Sequence, residues 1–257
     1  MKTIIQYFFL IVLMMNTTHA QSLKQIIYKD GSQKLNGLVT DHTTKNSPGV
    51  LILPAWKGAD NEAKQAAIDL AKEGYIAFVA DIYGEGNNPK DNAEAAEIAG
   101  KYKSDYVAYQ KRIDLALKEL IKTGADPTKI AVIGYCFGGT GALEAARAQL
   151  PVVGVVSIHG GLAKDSVRKN IPLKTKILIE HPAEDESVKP EDISNLVIEM
   201  NQGNTDWQMI TYANSKHTFT NPESPDYNKV MADRAWQHTL LFLKEIFEIN
   251  NFSKITE

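Results

Sequence analysis

The sequence is short of cysteine, with one thiol, Cys136, in 257 residues. A single thiol excludes an internal disulfide framework. Without His or Asp at ligand spacing around it, it also excludes a thiolate metal centre, so no metal and no cofactor is expected. An excess of one charge is missing too. The 28 Lys and Arg stand against 31 Asp and Glu, mixed along the chain, for a net charge of −3. No basic face is set up to track phosphates, so nucleic acid is not an expected partner. Internal repeats, low-complexity tracts and an interdomain linker are absent as well. Past residue 20, no apolar run is long enough to cross a membrane.

What remains is a globular composition, 44% apolar and 23% charged, preceded by a segment of another kind. Lys2 supplies a positive start, Ile4 to Met15 is apolar apart from Gln6, and Thr18-His19-Ala20 offers small residues at the positions a signal peptidase reads. The apolar run is too short to span roughly 30 Å of hydrocarbon as a helix. The expectation is a signal peptide over 1–20, cut after Ala20. Residues 21–257 then form one domain, expected to be a monomer, exported to the periplasm or secreted.

Within that domain, β-prone runs alternate with helical patterns. Gln25–Tyr28 and Asn36–Thr40 read as a hairpin around Lys29-Asp30-Gly31-Ser32. Val50–Leu53 and Tyr75–Ala80 read as strands buried on both faces, with a helix over Ala63–Glu73 between them, closed by Gly74. Gly84–Lys90 is polar loop, and Asp105–Lys122 is a helix. Strand Ile130–Ile133 is followed by a helix from Gly138 to Leu150, then strand Val152–Ile158. Strands Lys176–Ile179 and Trp207–Tyr212 flank a helix over Glu191–Met200, and an amphipathic helix over about Tyr227–Glu248 ends the chain. An antiparallel start followed by strand–helix units implies a mostly parallel central sheet with helices on both faces. In such sheets ligands bind at the carboxyl ends of the strands.

Cys136 sits at such an end. Gly134-Tyr135-Cys136-Phe137-Gly138 follows a strand and opens a helix, the Gly-x-nucleophile-x-Gly pattern of a nucleophile elbow with sulfur in place of oxygen. The turn is so sharp that side chains two residues either side would collide, which is why glycines stand there. The helix N-terminus favours negative charge at the sulfur, and the Phe137 N–H points toward the same spot, where an oxyanion would form.

A nucleophile on this turn takes its acid and its histidine from later loops, in that order. His217, in the polar turn Asn214-Ser215-Lys216-His217-Thr218-Phe219 after the last strand, is the candidate base. His181 also follows a late strand; His42 and His238 lie in an early loop and the terminal helix. The candidate acid is Asp185 in His181-Pro182-Ala183-Glu184-Asp185-Glu186-Ser187-Val188, with Glu184 second. It would fix the His217 tautomer. His159 ends a strand beside the elbow, where it either lines a pocket or is a hydrogen-bonded structural residue. Trp56, Tyr83 and Phe137 are candidates for an apolar wall.

With these residues in order, the chain from about Val50 to Phe247 resembles the dienelactone hydrolase family of α/β-hydrolases. The resemblance rests on Leu53-Pro54-Ala55-Trp56-Lys57-Gly58, Ala80-Asp81-Ile82-Tyr83-Gly84, Gly134-Tyr135-Cys136-Phe137-Gly138-Gly139, Ser157-Ile158-His159-Gly160-Gly161, the Asp185 loop, His217-Thr218-Phe219 and Ala235-Trp236. It implies an α/β-hydrolase fold, a Cys136, Asp185 and His217 triad, and an oxyanion hole built from the N–H groups of Phe137 and Trp56. The implied substrate is a small-molecule ester or lactone, cleaved through a thioester. Characterised dienelactone enzymes carry a Glu at the position of Ala55 and an Arg near Glu85, and this chain has neither. It also has Pro182 where Gly is common and Glu186 where Pro is common. These departures leave open a catalytically inactive binding protein on the same fold, and a lone activated thiol outside the cytosol leaves open a redox sensor.

Overall fold

Val50, Ile52, Ala131 and Ile133 point to one face of the central sheet, and Leu51, Leu53, Ile130 and Val132 to the other. Strands of this kind are apolar at every position because both faces are covered. In the computed structural model, which describes residues 22–41 and 44–252, all five residues of strand β3 and all six of β5 are buried. The expected signal peptide and His42 lie outside the described residues.

The elements follow in the order β1 (Leu23–Asp30), β2 (Gln33–Thr40), β3 (Gly49–Leu53), α1 (Asn61–Lys72), β4 (Ile76–Val79), α2 (Asn92–Ser104), α3 (Tyr106–Lys122), β5 (Ile130–Tyr135), α4 (Phe137–Arg147), β6 (Gly154–Ile158), β7 (Lys176–Pro182), α5 (Pro190–Gln202), β8 (Trp207–Tyr212) and α6 (Lys229–Phe252). The eight-stranded sheet runs β1-β2-β4-β3-β5-β6-β7-β8. β1 pairs with β2, and β2 with β4, antiparallel; the remaining pairs are parallel. This is the α/β-hydrolase arrangement expected from the sequence. Helices α1 and α6 cover one face, and α3, α4 and α5 the other.

Strand order reverses at β3. The chain leaves β3 outward to β4 and returns on its other side as β5, which opens a crevice beyond the carboxyl ends of β3 and β5. The loop from Pro54 and the elbow at Cys136 therefore meet there.

Helix α2 is the one element the hydrophobic pattern does not announce. Its buried residues are Ala95 and Ala99, too small to print a strong stripe. What marks its start is Asp91, whose side chain accepts from the Glu94 N–H at 2.9 Å. Gly74 has φ +90, as a left-handed helix stop requires, and the hairpin turns at Gly31 with φ +59. β7 runs on through His181 and Pro182, three residues beyond its apolar run, and delivers the acidic loop to the same edge as the elbow.

Candidate active site

Cys136 has φ 52 and ψ −112, a conformation an L-residue adopts only when its surroundings impose it. The surroundings here are explicit. A Cβ on Gly134 would fall on the carbonyl oxygen of Gly138, and one on Gly138 would fall on the carbonyl oxygen of Leu53. The two glycines let α4 start directly against the ends of β5 and β3. The strained backbone is held by its own N–H, which is shared between the Ile158 carbonyl at 3.0 Å and Nδ1 of His159 at 3.1 Å.

The last loop brings His217 over the sulfur. Its Nε2 lies 3.1 Å from Cys136 Sγ, and its Nδ1 lies 2.9 Å from Asp185 Oδ2. The loop is anchored from below by Phe219, fully buried and stacked on Tyr212 with ring centroids 5.2 Å apart. Asp185 is buried whereas Glu184 is exposed, so the structure separates the two acid candidates. The other oxygen of Asp185 accepts from the Ser187 N–H at 3.0 Å and the Ser187 hydroxyl at 2.6 Å. That hydroxyl also lies 3.0 Å from His217 Nδ1. His181 is buried in β7, and His238 Nδ1 is bonded to the Tyr212 hydroxyl at 2.8 Å, so neither reaches the sulfur.

Charge follows this geometry. Burial works against a charged His217, but hydrogen bonds to Asp185 and Cys136 outweigh it and raise its pKa to about 10. Burial likewise opposes the Asp185 carboxylate, and the hydrogen bonds from His217 and Ser187 overcome it, lowering its pKa to about 2. The arrangement favours an imidazolium bridging a sulfur and a carboxylate.

His159 is 1% exposed and both of its nitrogens are engaged within the protein. Nδ1 takes the Cys136 N–H, and Nε2 lies 2.8 Å from the Thr220 hydroxyl, which in turn donates to Glu62 at 2.6 Å. Burial and the neighbouring His217 lower its pKa to about 3, so the ring is neutral, with its proton on Nε2. Of the two readings open from sequence, this burial and bonding fit the structural one. Its partners Thr220 and Glu62 carry no signal in the sequence. Ser187 carries a weak one, a Ser two residues after an Asp in a turn.

Tyr83 and Phe137 are also buried, at 4% and 1% exposure. They stack at 5.6 Å, with Tyr109 stacked on Phe137 at 4.5 Å, and form the floor under the elbow. The Tyr83 hydroxyl donates to the Trp56 carbonyl at 2.9 Å and so ties down the loop after β3. Half-buried Trp56 presents the more accessible ring of the three. Phe137 is the first residue of α4, so its N–H has no acceptor within the helix. Ala55 packs on the core beneath α1, and exposed Glu85 pairs with Lys34 at 3.7 Å. Among the described residues no group of three His, Cys, Asp or Glu is placed to hold a metal ion, and no helix is long and apolar enough to cross a membrane.

An eight-stranded, mostly parallel sheet with a strained strand-to-helix turn at the reversal of strand order defines an α/β-hydrolase. Within that class the chain belongs to the dienelactone hydrolase family, whose model matches residues 35–247. A Bradyrhizobium protein named "Probable 2-oxo-3-(5-oxofuran-2-ylidene)propanoate lactonase" is 29% identical over 227 residues, covering 84% of this chain and 90% of its own. Among solved structures, a dienelactone hydrolase-like promiscuous phosphotriesterase, P91, from metagenomic libraries superposes with a TM-score of 0.84 at 28% identity, covering 89% of this chain and all of that one. A structure titled m3DLH has a TM-score of 0.84 at 29% identity with the same coverage.

Proposed function

We propose that this protein is an exported hydrolase of small carboxylic esters or lactones, working through a Cys136–His217–Asp185 triad and a thioester. The observation that carries the reading is the hydrogen-bonded line from Cys136 Sγ through His217 to Asp185, at 3.1 and 2.9 Å, beginning on the elbow. Chemistry follows from where the proton sits. With His217 as imidazolium, the sulfur attacks the acyl carbon, and the oxygen that becomes negative is received by the N–H groups of Phe137 and Trp56. When the carbonyl re-forms, the C–O bond to the alcohol breaks and His217 Nε2 gives its proton to the departing oxygen. Neutral His217 then takes a proton from water as the water attacks the thioester, and the released thiolate restores the starting pair. Asp185 remains ionised throughout and holds the ring.

The lactone class is suggested by the name of the Bradyrhizobium relative. Ala55 and Glu85 argue for a substrate other than a carboxylated lactone, because an anionic group beside Glu85 would be repelled. The export part of the reading rests on the first 20 residues, and amino-terminal sequencing of the secreted or periplasmic protein would find Gln21 as the first residue if it holds.

The test is a panel of aryl esters and simple lactones with an acylating probe mapped by mass spectrometry. Wild type is expected to carry the label on Cys136 and to lose it in His217→Ala. Cys136→Ala is expected to lose at least about a thousandfold in kcat/KM. Hydrolysis by Cys136→Ala at the wild-type rate would overturn the proposal.

A further inference from the structure

A concavity of about 420 Å³ lies between α1 and α6, on the face of the sheet those helices cover. This is within the roughly 300–1,000 Å³ range of small-molecule sites. It lies outside the triad: Tyr135, Ile158 and Glu180 form its floor, Glu62 and Trp236 stand on its helical walls, and Glu223 is at its mouth. Five carboxylates line it and no Lys or Arg does. Most of these acids are accounted for. Asp69 and Asp233 pair with Lys72 and Lys229 of their own helices, Glu223 accepts from Asn61, and Glu62 accepts from Thr220.

Glu180 is the exception. It is fully buried at 0% exposure, directed toward α6, where its Oε1 accepts from the Thr239 hydroxyl at 3.1 Å. Its Oε2 has no hydrogen-bond partner among the described residues. A buried carboxyl oxygen without a partner is costly, and a polar group entering the concavity is what would relieve it. The chemistry of the lining selects that group. An anion brings no donor to that oxygen and finds no Lys or Arg in the lining. A divalent cation needs several ligands converging on one point, and among the described residues no three acidic, His or Cys groups do so. An organic ammonium suits both features, with N–H donors for a carboxyl and a hydrocarbon part that rests on aromatic faces. Tyr135 and Trp236 supply those faces, at the floor and on the α6 wall.

We propose that this cavity is a binding site for a small primary alkylammonium, its N–H groups on Glu180 and its chain against Trp236. Burial holds the Glu180 carboxyl well above the usual carboxylate range, and an ammonium beside it would favour the ionised form. The cavity shares Glu62 and Thr220 with the hydrogen-bond chain behind His159 but contains none of Cys136, Asp185 and His217, and its test does not depend on turnover.

The probes are n-butylammonium chloride, n-butanol and sodium butyrate, titrated into the whole protein by calorimetry and by amide and indole NMR. The expected result is saturable binding of butylammonium with Kd of about 1 mM or below, and at least about tenfold weaker binding of the alcohol and the acid. Shifts should centre on the Trp236 indole. Glu180→Gln keeps the shape and removes the group that can ionise beside an ammonium, and is expected to weaken butylammonium about tenfold. Should that variant not fold, Trp236→Leu is expected to weaken it through the lost aromatic face. Butanol binding as tightly as butylammonium would overturn the proposal, as would absence of saturation, or shifts centred on Cys136 and His217.

Discussion

Nδ1 of His159 accepts the backbone N–H of Cys136 at 3.1 Å, so one histidine holds the strained turn while another, His217, reaches the sulfur. Both ends of that bond are unusual. Cys136 has φ 52 and His159 has φ 39, two left-handed residues at the ends of neighbouring parallel strands. Left-handed conformations of this kind persist only when packing and hydrogen bonds over-determine them.

His159→Ala is therefore expected to weaken the elbow without touching substrate. The Cys136 N–H keeps the Ile158 carbonyl, so the loss is a shared hydrogen bond plus a cavity, about 2 kcal/mol. That corresponds to a fall in Tm of roughly 4–8 °C. On an ester substrate kcat should drop about tenfold with KM little changed, because the nucleophile is misplaced rather than the binding surface. His159→Phe separates the two effects, restoring much of the stability and none of the rate. An unchanged kcat in His159→Ala would show that the turn holds without this bond.

Much of the site was legible before the structure. Gly134 and Gly138 mark the turn because their reason is steric and local, and the order Cys136, Asp185, His217 follows from the order of strand ends. The partners of His159 were not. Glu62 and Thr220 are 158 residues apart and meet only because α1 and the last loop flank the same strand ends, which no spacing encodes. Helix α2 escaped for a different reason. Its contact with the core is made through alanines, and the period that betrays an amphipathic helix needs larger side chains to be seen. Tyr83 and Phe137 read as a pocket wall because aromatic residues at strand ends do either job. Only packing shows that they stack into the floor.

The two histidines lie with ring centroids 5.3 Å apart and are pushed in opposite directions, His217 to about 10 and His159 to about 3. Neither is expected to titrate between pH 5 and pH 8, and NMR of the ring nitrogens should show His217 doubly protonated and His159 neutral across that range. The signs for stability differ as well. His217 is raised above its ordinary 6.5, so its contribution is full below that pH and fades as pH climbs toward 10. Asp185 is lowered from 3.8, so its contribution is present above that value and is lost as pH falls through about 2. His159, neutral when folded and protonated when unfolded, costs stability progressively as pH drops from 6.5 toward 3. Denaturant unfolding across pH should thus show His217→Gln closest to wild type near pH 10 and furthest from it below about 6.5. A midpoint near 6.5 for His217 in the NMR titration would rule out the ion-paired site.

Helix α4 carries Cys136 at its head and Arg147 in its last turn, and the far end is fixed by a buried charge network. Arg147, with its side chain 3% exposed, pairs with Glu144 at 3.0 Å and Glu199 of α5 at 2.8 Å, and donates to the Leu162 carbonyl at 3.2 Å. Removing one partner of such a network leaves buried carboxylates short of a cation, a change that typically costs about 3–5 kcal/mol. Here Arg168 still holds Glu144 at 2.8 Å and Lys164 still holds Glu199 at 3.0 Å, which places Arg147→Met at the lower end, about 3 kcal/mol. The variant should unfold at lower denaturant with an unchanged slope. Its folded fraction should hydrolyse esters at the wild-type rate, since the network touches neither Cys136 nor His217. A loss below about 1 kcal/mol would mean that Met packing compensates for the charges, as buried ion pairs sometimes allow. Normal stability with reduced kcat would instead assign the network a part in aligning the elbow.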